Sequence, residues 1–266
     1  MIIFYQRFHL AFKINLKNKQ MKQLFWVLLS SFLLSACART FHLANVQTRS
    51  YRIEKASYPV DPKIAAMIEP YKETLSKTMD EVIGYCDEDL VKGKPTSTLT
   101  NWFADVLLAE SQKLVTLKVD FAIQNYGGIR IPVFSKGNIT VGKIYELMPF
   151  DNILYILELK GSTVKTLLTK IAESGGWPVS YTISMSIAYG KALNILINNE
   201  PLDESRVYNV AIPDYLANGG DNLDFLRDQV RHNTGALIRD MLINNVRELK
   251  AAGKTVKAIN DSRIKD

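Results

Sequence analysis

Histidine and cysteine are scarce in this chain. Its 266 residues include three of the first and two of the second. A two-metal hydrolytic centre needs several His and Asp ligands around ions about 4 Å apart. Downstream of residue 36 only His42 and His232 are available, far apart in sequence, so no metal site and no catalytic residue is expected within this chain. HExxH, a Walker phosphate loop and the GxSxG elbow are all missing. A serine triad would need a histidine beside an acid, and His232, read as a solvated residue in a polar loop, has nothing nearby to recommend it. Cys37 and Cys86 are the only thiols. If Cys37 is modified, no disulfide can form, and Cys86 reads as a small buried apolar side chain.

What is present begins with a targeting pattern. From Met21 the chain runs through Lys22, the apolar stretch Leu24-Phe25-Trp26-Val27-Leu28-Leu29, and then Leu33-Leu34-Ser35-Ala36-Cys37. A basic start, a short apolar run and small residues before a cut site make a secretory signal. The run is shorter than the roughly 20 apolar residues of a spanning helix. Leu34-Ser35-Ala36-Cys37 resembles the lipobox of bacterial lipoproteins, in which the cysteine is lipidated and becomes the new N-terminus. The expectation is a signal over 1–36, a polar lipidated tether over 37–60 and a folded domain over 61–266. The product would be exported and held to a bacterial membrane, facing the periplasm from the outer membrane. An ordinary signal with a chance cysteine is the alternative. The basic residues 1–20 read either as an over-called start, with Met21 the true one, or as a long n-region.

The signal carries Arg7, Lys13, Lys17, Lys19 and Lys22 and no acid, so its removal lowers the formal charge from +6 to +1. A nearly neutral body lacks the field that nucleic-acid binding requires. Asp61-Pro62 predicts a helix start, and Ile64, Met67, Ile68, Tyr71, Leu75, Met79 and Val82 continue at helical spacing to about Ile83. Further helices are expected over 99–114, 141–147, 162–174 and 235–249. Strands are expected over 119–124, 153–159, 181–189, 193–197 and 207–212, the last two joined through the turn chemistry of residues 198–201. Two helices followed by mixed strands and helices argue an α+β fold rather than a doubly wound sheet.

Three loops stand out. Asn125-Tyr126-Gly127-Gly128-Ile129-Arg130 follows a strand. Its glycine pair reads as a turn with positive φ and close backbone approach, and Arg130 offers a planar fork of donors. Met148-Pro149-Phe150-Asp151-Asn152 presents an aromatic and an amide before a strand. Tyr215-Leu216-Ala217-Asn218-Gly219-Gly220-Asp221 ends in a carboxylate able to grip a diol. Each has a plain reading: a turn, a core aromatic, a capping acid. Together they supply two aromatic faces, an Arg, an Asn and an Asp, which suits a flat base and a ribose.

In this order the NYGGIR, PFDN and ANGGD segments resemble the C-terminal domain of bacterial 5′-nucleotidases and of the related 2′,3′-cyclic phosphodiesterases and UDP-sugar hydrolases, over about residues 92–250. The resemblance implies a layered domain of helices and mixed sheets that binds the nucleoside, while a separate N-terminal metallophosphoesterase domain holds two divalent metals. It implies substrate contacts by Arg130, Phe150, Asn152, the backbone of Gly175, Tyr215 in place of the usual second Phe, and Asp221. Leu99-Thr100-Asn101 departs from the family's Leu-Gly-Asn turn, with no Arg from Pro95 to Lys113, so phosphate contacts from that side are in doubt. Asn222 stands where Gly is common. The expected role is the nucleoside- or nucleotide-binding half of a split hydrolase working with a separately encoded metallophosphoesterase. That partner would supply the divalent metals; no cofactor is expected in this chain. A non-catalytic nucleoside-binding lipoprotein and a remnant that lost its ligand are the other readings.

Overall fold

The computed structural model describes residues 19–35, 48, 50 and 60–266. The chain divides into a unit over 1–59 and a unit over 60–266. In the first, α1 (Lys19–Ser35) contains the apolar stretch of the signal pattern. Among the described residues no helix is long and apolar enough to cross a membrane. Cys37 lies outside the described residues, as does nearly all of the expected tether.

The second unit opens with α2 (Pro62–Met79), where the Asp61 carboxylate accepts from the amides of Lys63 and Ile64 at 2.8 and 3.3 Å. That cap satisfies two of the donors a helix start leaves free. The helix ends four residues before the expected Ile83, because Val82–Cys86 is a strand, β1. Of the residues at helical spacing, Ile64, Met67, Ile68, Tyr71 and Leu75 are exposed. After β2 (Leu90–Val91) comes α3 (Thr98–Leu114), started by a capping box between Ser97 and Thr100. Then follow β3 (Phe121–Ala122), β4 (Val133–Phe134), β5 (Gly137–Thr140), α4 (Val141–Leu147) and β6 (Ile153–Lys160). Next are α5 (Gly161–Glu173), β7 (Ile183–Ala188), β8 (Lys191–Ile197), β9 (Glu200–Pro201) and β10 (Val207–Pro213). The chain closes with α6 (Asp214–Ala217), β11 (Val230–Leu237), α7 (Ile238–Ala251) and β12 (Ile264–Lys265).

The central sheet has the order β11-β6-β10-β3, with only β10 and β3 parallel. Side chains alternate across a strand, and here both faces are covered. Ala122, Leu154, Ile156 and Ala211 join one core with residues of α3, α4 and α7. Their neighbours Phe121, Ile123, Leu157, Leu159, Val210 and Ile212 join a second core with Val164, Leu167, Leu168 and Ile171 of α5 and with a sheet ordered β12-β7-β8-β9. Burial on both faces makes the strands read as continuous apolar runs. The architecture is the expected α+β layering of helices and mixed sheets.

Three expectations need correction. Asn198 and Asn199, both in the left-handed region, turn β8 into the short β9. They do not lead directly into β10, which lies in the other sheet. His232 is not in a loop; it sits on β11, its Nε2 2.7 Å from Glu158 Oε1 across the β11–β6 pair. The closing helix starts at Ile238, because residues 230–237 pair with β6 instead. Cys86 is fully buried, and burial pushes its thiol pKa up.

Candidate functional site

Sheet topology brings the three loops to one end. β10 and β3 are parallel, so the segments after Ala122 and after Pro213 leave from the same edge. β6 runs against β10 with Leu154 opposite Pro213, so the segment entering β6 arrives there too. Asn152 and Asp214, one residue outside each strand, meet: Asn152 Nδ2 donates to Asp214 Oδ1 at 2.7 Å. The same oxygen accepts from the Tyr215 amide at 2.7 Å. The amide expected to contact a ligand thus ties the Phe150 loop to the Tyr215 helix.

A second network lies beside it. Asn125 Nδ2 donates to Asp221 Oδ2 at 2.8 Å, and the Tyr215 hydroxyl donates to Asp221 Oδ1 at 3.0 Å. The hydrogen bond to Asp221 is the main cause of a raised Tyr215 pKa, which keeps the phenol protonated. Gln124 Nε2, almost fully buried, donates to Asn125 Oδ1 at 3.2 Å. Gln124 thereby fixes which way the Asn125 amide points.

The glycines explain this packing. A Cβ on Gly220 would lie 2.5 Å from two ring carbons of Tyr215, so only glycine lets that ring rest on the turn. A Cβ on Gly128 would lie 1.9 Å from Gln124 Nε2 and 2.7 Å from Asn125 Oδ1. Positive φ was the expected reason for the Gly127-Gly128 pair. Residues 126–128 form a 3₁₀ turn and neither glycine has positive φ; the reason at Gly128 is room. The ANGGD turn does use left-handed backbone, at Gly219, Asp221 and Asn222. Asparagine tolerates that region better than most residues, which accounts for Asn222 at +64° where glycine is common.

The remaining expected residues join through cations. Arg130 donates to the Gly127 carbonyl at 3.1 Å and holds its guanidinium 5.6 Å from the Phe150 ring centre. Lys92 and Lys94 place their ammonium groups 4.0 and 4.8 Å from the Tyr126 ring centre. Lys94 also donates to the carbonyl of Ser174, beside the left-handed Gly175. Lys92 donates to the Ile129 carbonyl at 2.7 Å. Its pKa is lowered by burial first and by the charges of Arg130 and Lys94 next. A cluster of three cations that repel one another suits an anion, and two of them stand on the side where the sequence offered no arginine. Phe150 and Tyr215 are 40% and 47% exposed, leaving open ring surface.

Arg130, Phe150, Asn152, Gly175, Tyr215 and Asp221 are thus linked through these contacts into one neighbourhood. Sequence reasoning missed Lys92, Lys94, Asn125, Gln124 and Arg239. Asn125 opens the first motif and Gln124 adjoins it, and both could have been weighed there. Arg239, buried on α7, donates to the Phe150 carbonyl at 3.2 Å and to Asp151 at 2.6 Å, anchoring that loop from a helix 88 residues on. No local pattern marks it. Among the described residues no group of three His, Cys, Asp or Glu converges as a metal site.

Comparison with known proteins identifies the chain's family and fold. A family model of the 5′-nucleotidase C-terminal domain matches residues 82–228. The trifunctional nucleotide phosphoesterase protein YfkN of Bacillus subtilis is 28% identical over 227 residues, covering 77% of this chain and 15% of that one. A Vibrio cholerae 5′-nucleotidase is 31% identical over 148 residues, 54% of this chain and 26% of the relative. The solved 5′-nucleotidase precursor of Thermus thermophilus superposes with a TM-score of 0.64 at 27% identity, over 79% of this chain and 44% of that one. The chain therefore spans less than half the length of each of these relatives. With more than half of its residues inside the matched segment, the chain belongs to the 5′-nucleotidase C-terminal domain family.

Proposed function

We propose that this chain is the nucleoside- or nucleotide-binding half of a split 5′-nucleotidase-type hydrolase, with a separately encoded metallophosphoesterase as its partner. The single observation that carries the reading is the junction of two half-exposed aromatics, a carboxylate network and three cations at one end of the central sheet. Phe150 and Tyr215 offer faces for a base, at roughly 1–3 kcal/mol for each stacking contact. Asp221, oriented by Asn125 and Tyr215, has acceptor capacity left for a ribose diol. Arg130, Lys92 and Lys94 suit the phosphate.

Among the described residues no group fits a two-metal centre, so the proposal assigns divalent-metal chemistry to the partner. The chain's own part is to bind the nucleotide and orient its ester, work that lowers a barrier through positioning. Lipidation at Cys37 would hold the pair at a membrane outside the cytoplasm, where external nucleotides are met.

Calorimetric titration of the full chain with AMP tests the binding half of the proposal; measurable affinity, lost in Phe150→Ala/Tyr215→Ala, is expected. Phosphate release assays with the chain alone and divalent metals test the split. No release is expected, and robust metal-dependent hydrolysis by the isolated chain would overturn it. Tight AMP binding with no effect on any co-produced phosphoesterase would instead favour a binding lipoprotein.

A further inference from the structure

Three side chains, Asp221, Asn125 and Gln124, form a chain that runs inward from the candidate site. Its polarity is set at the outer end. An ionised Asp221 can only accept, so the Asn125 amide must turn Nδ2 toward it, at 2.8 Å. Asn125 Oδ1 then faces inward as an acceptor, and Gln124 must turn Nε2 toward it, at 3.2 Å. The Gln124 side-chain oxygen is left over. It is buried and has no hydrogen-bond partner among the described residues. An orphaned buried acceptor weakens a fold, and an apolar side chain of similar shape avoids that loss. A role in stability alone therefore does not account for this glutamine. Its placement is firm: the Gln124 backbone amide donates to the Pro178 carbonyl at 3.0 Å. Both side-chain amides are packed hard against Gly128, where a Cβ would lie 1.9 Å from Gln124 Nε2 and 2.7 Å from Asn125 Oδ1.

We propose that Gln124 is a positioning residue for Asp221 and thereby sets a preference for a ribonucleotide over a 2′-deoxyribonucleotide. The inference rests on the nucleotide-binding reading above. Asp221 takes one donor on each oxygen, Asn125 on Oδ2 and the Tyr215 hydroxyl on Oδ1. The two contacts hold the plane of the carboxylate, and each oxygen keeps acceptor capacity for a further donor. A vicinal diol offers two hydroxyls to that pair of oxygens, and a 2′-deoxy sugar offers one. The tyrosine side of the grip is held separately, by the close approach of the Tyr215 ring to Gly220. The asparagine side depends on Gln124. Among the described residues, Gln124 and Asp221 are the only hydrogen-bond partners of the Asn125 side chain. Without Nε2 behind it, Asn125 is free to turn away and the carboxylate plane is no longer held. Asp221 can then still accept one hydroxyl, but the two-point grip, which depends on orientation, is lost. The loss falls on the ribonucleotide and spares the deoxy analogue.

The test is calorimetric titration of the full chain with AMP and with 2′-deoxy-AMP. The wild type should bind AMP about tenfold more tightly, the worth of one hydrogen bond. Gln124→Met should cut that ratio to about threefold or less by weakening AMP alone, with the melting temperature unchanged. In an Asp221→Ala background, Gln124→Met should alter the ratio no further. An unchanged ratio in Gln124→Met, an equal loss for both nucleotides, or a further change in the Asp221→Ala background overturns the positioning role while nucleotide binding stands. A wild type that binds neither nucleotide refutes the binding reading itself, and the selectivity falls with it. The relay has its own ligand-free readout. The side-chain amide signal of Asn125, assigned in NMR spectra by its loss in Asn125→Ala, should exchange slowly with solvent in the wild type and quickly in Gln124→Met. Equal exchange in the two proteins overturns the relay.

Discussion

Arg263 is the most consequential single side chain outside the site. It is 4% exposed, and all five of its N–H donors are used. Nη1 and Nη2 grip the Asp105 carboxylate at 2.6 and 3.0 Å, Nε and Nη2 grip Asp261 at 2.6 and 2.7 Å, and Nη1 reaches the Val179 carbonyl at 2.9 Å. Asp105 is on α3 and Val179 lies just before β7, so one guanidinium fastens the C-terminal tail to both. Asp261 is nearly half exposed and contributes little, as surface pairs do. Asp105 is different: only 15% of its side chain is exposed. Arg263→Ala strands that carboxylate in a buried place, and breaking a buried pair costs about 3–5 kcal/mol. For a body of this size each kcal/mol moves Tm by roughly 2–4 °C, so a fall on the order of 6–20 °C is expected by calorimetry or circular dichroism. The pH dependence has a definite sign. Burial raises the Asp105 pKa more than Arg263 lowers it, so the folded state holds that proton more tightly than the unfolded chain. Stability therefore falls as pH rises through the folded pKa, and losing Arg263 enlarges this effect. The variant's deficit should be largest above neutrality and shrink as the pH is lowered into the raised carboxylate range. Arg263→Leu/Asp105→Leu, which removes both charges, should recover much of the loss. A deficit below about 1 kcal/mol, or one that grows on acidification, would refute the account of a buried, uncompensated carboxylate.

Other expected outcomes are briefer. Phe150→Ala and Tyr215→Ala should each weaken AMP binding by about 1–3 kcal/mol in calorimetry with little change in Tm, since both rings are half exposed; unchanged affinity would remove the stacking role. Gly220→Ala should weaken AMP binding as Tyr215→Ala does, because its Cβ would displace the same ring; native affinity in that variant would show the ring position to be immaterial. Asn222→Gly should keep native stability, and Asn222→Val should lose roughly 1–2 kcal/mol from its left-handed backbone, as read by urea denaturation. AMP affinity should decline on raising the pH through the lowered Lys92 range, because the anion favours the charged amine; Lys92→Met should flatten that decline, and a profile identical to wild type would remove Lys92 from the anion site.

The order of elements was legible because local patterns dominate it. The Asp61 cap, the apolar spacing of 99–114 and 162–174, and the short helix before Pro149 all appear close to where the pattern placed them. The site was legible to the extent that its residues sit in three motifs. Long-range pairing was not. Residues 230–237 carry no run of alternating apolar side chains, and become a strand because β6 has an open edge there. The cationic side of the site was missed because arginine was sought, whereas Lys92 and Lys94 arrive from a loop. Gly128 was read as a turn residue with positive φ and proves to be a steric allowance, a distinction that depends on where Gln124 and Asn125 point. The outward face of α2 could not be foreseen, since periodicity shows that a helix has an apolar side and says nothing of what will cover it.

The double-sided burial of the central sheet has a bearing on how such a domain changes over time. Ile156 and Ala211 are buried in one core and Leu157, Val210 and Ile212 in the other, so almost any polar replacement there disrupts a core. The segments that enter and leave the strands hold the residues proposed to contact base, ribose and anion, and they are held by few side chains each. Mutational drift is thereby channelled away from the layers and into the loops. On the proposed function, ligand preference could be rewritten piece by piece on a frame that stays fixed.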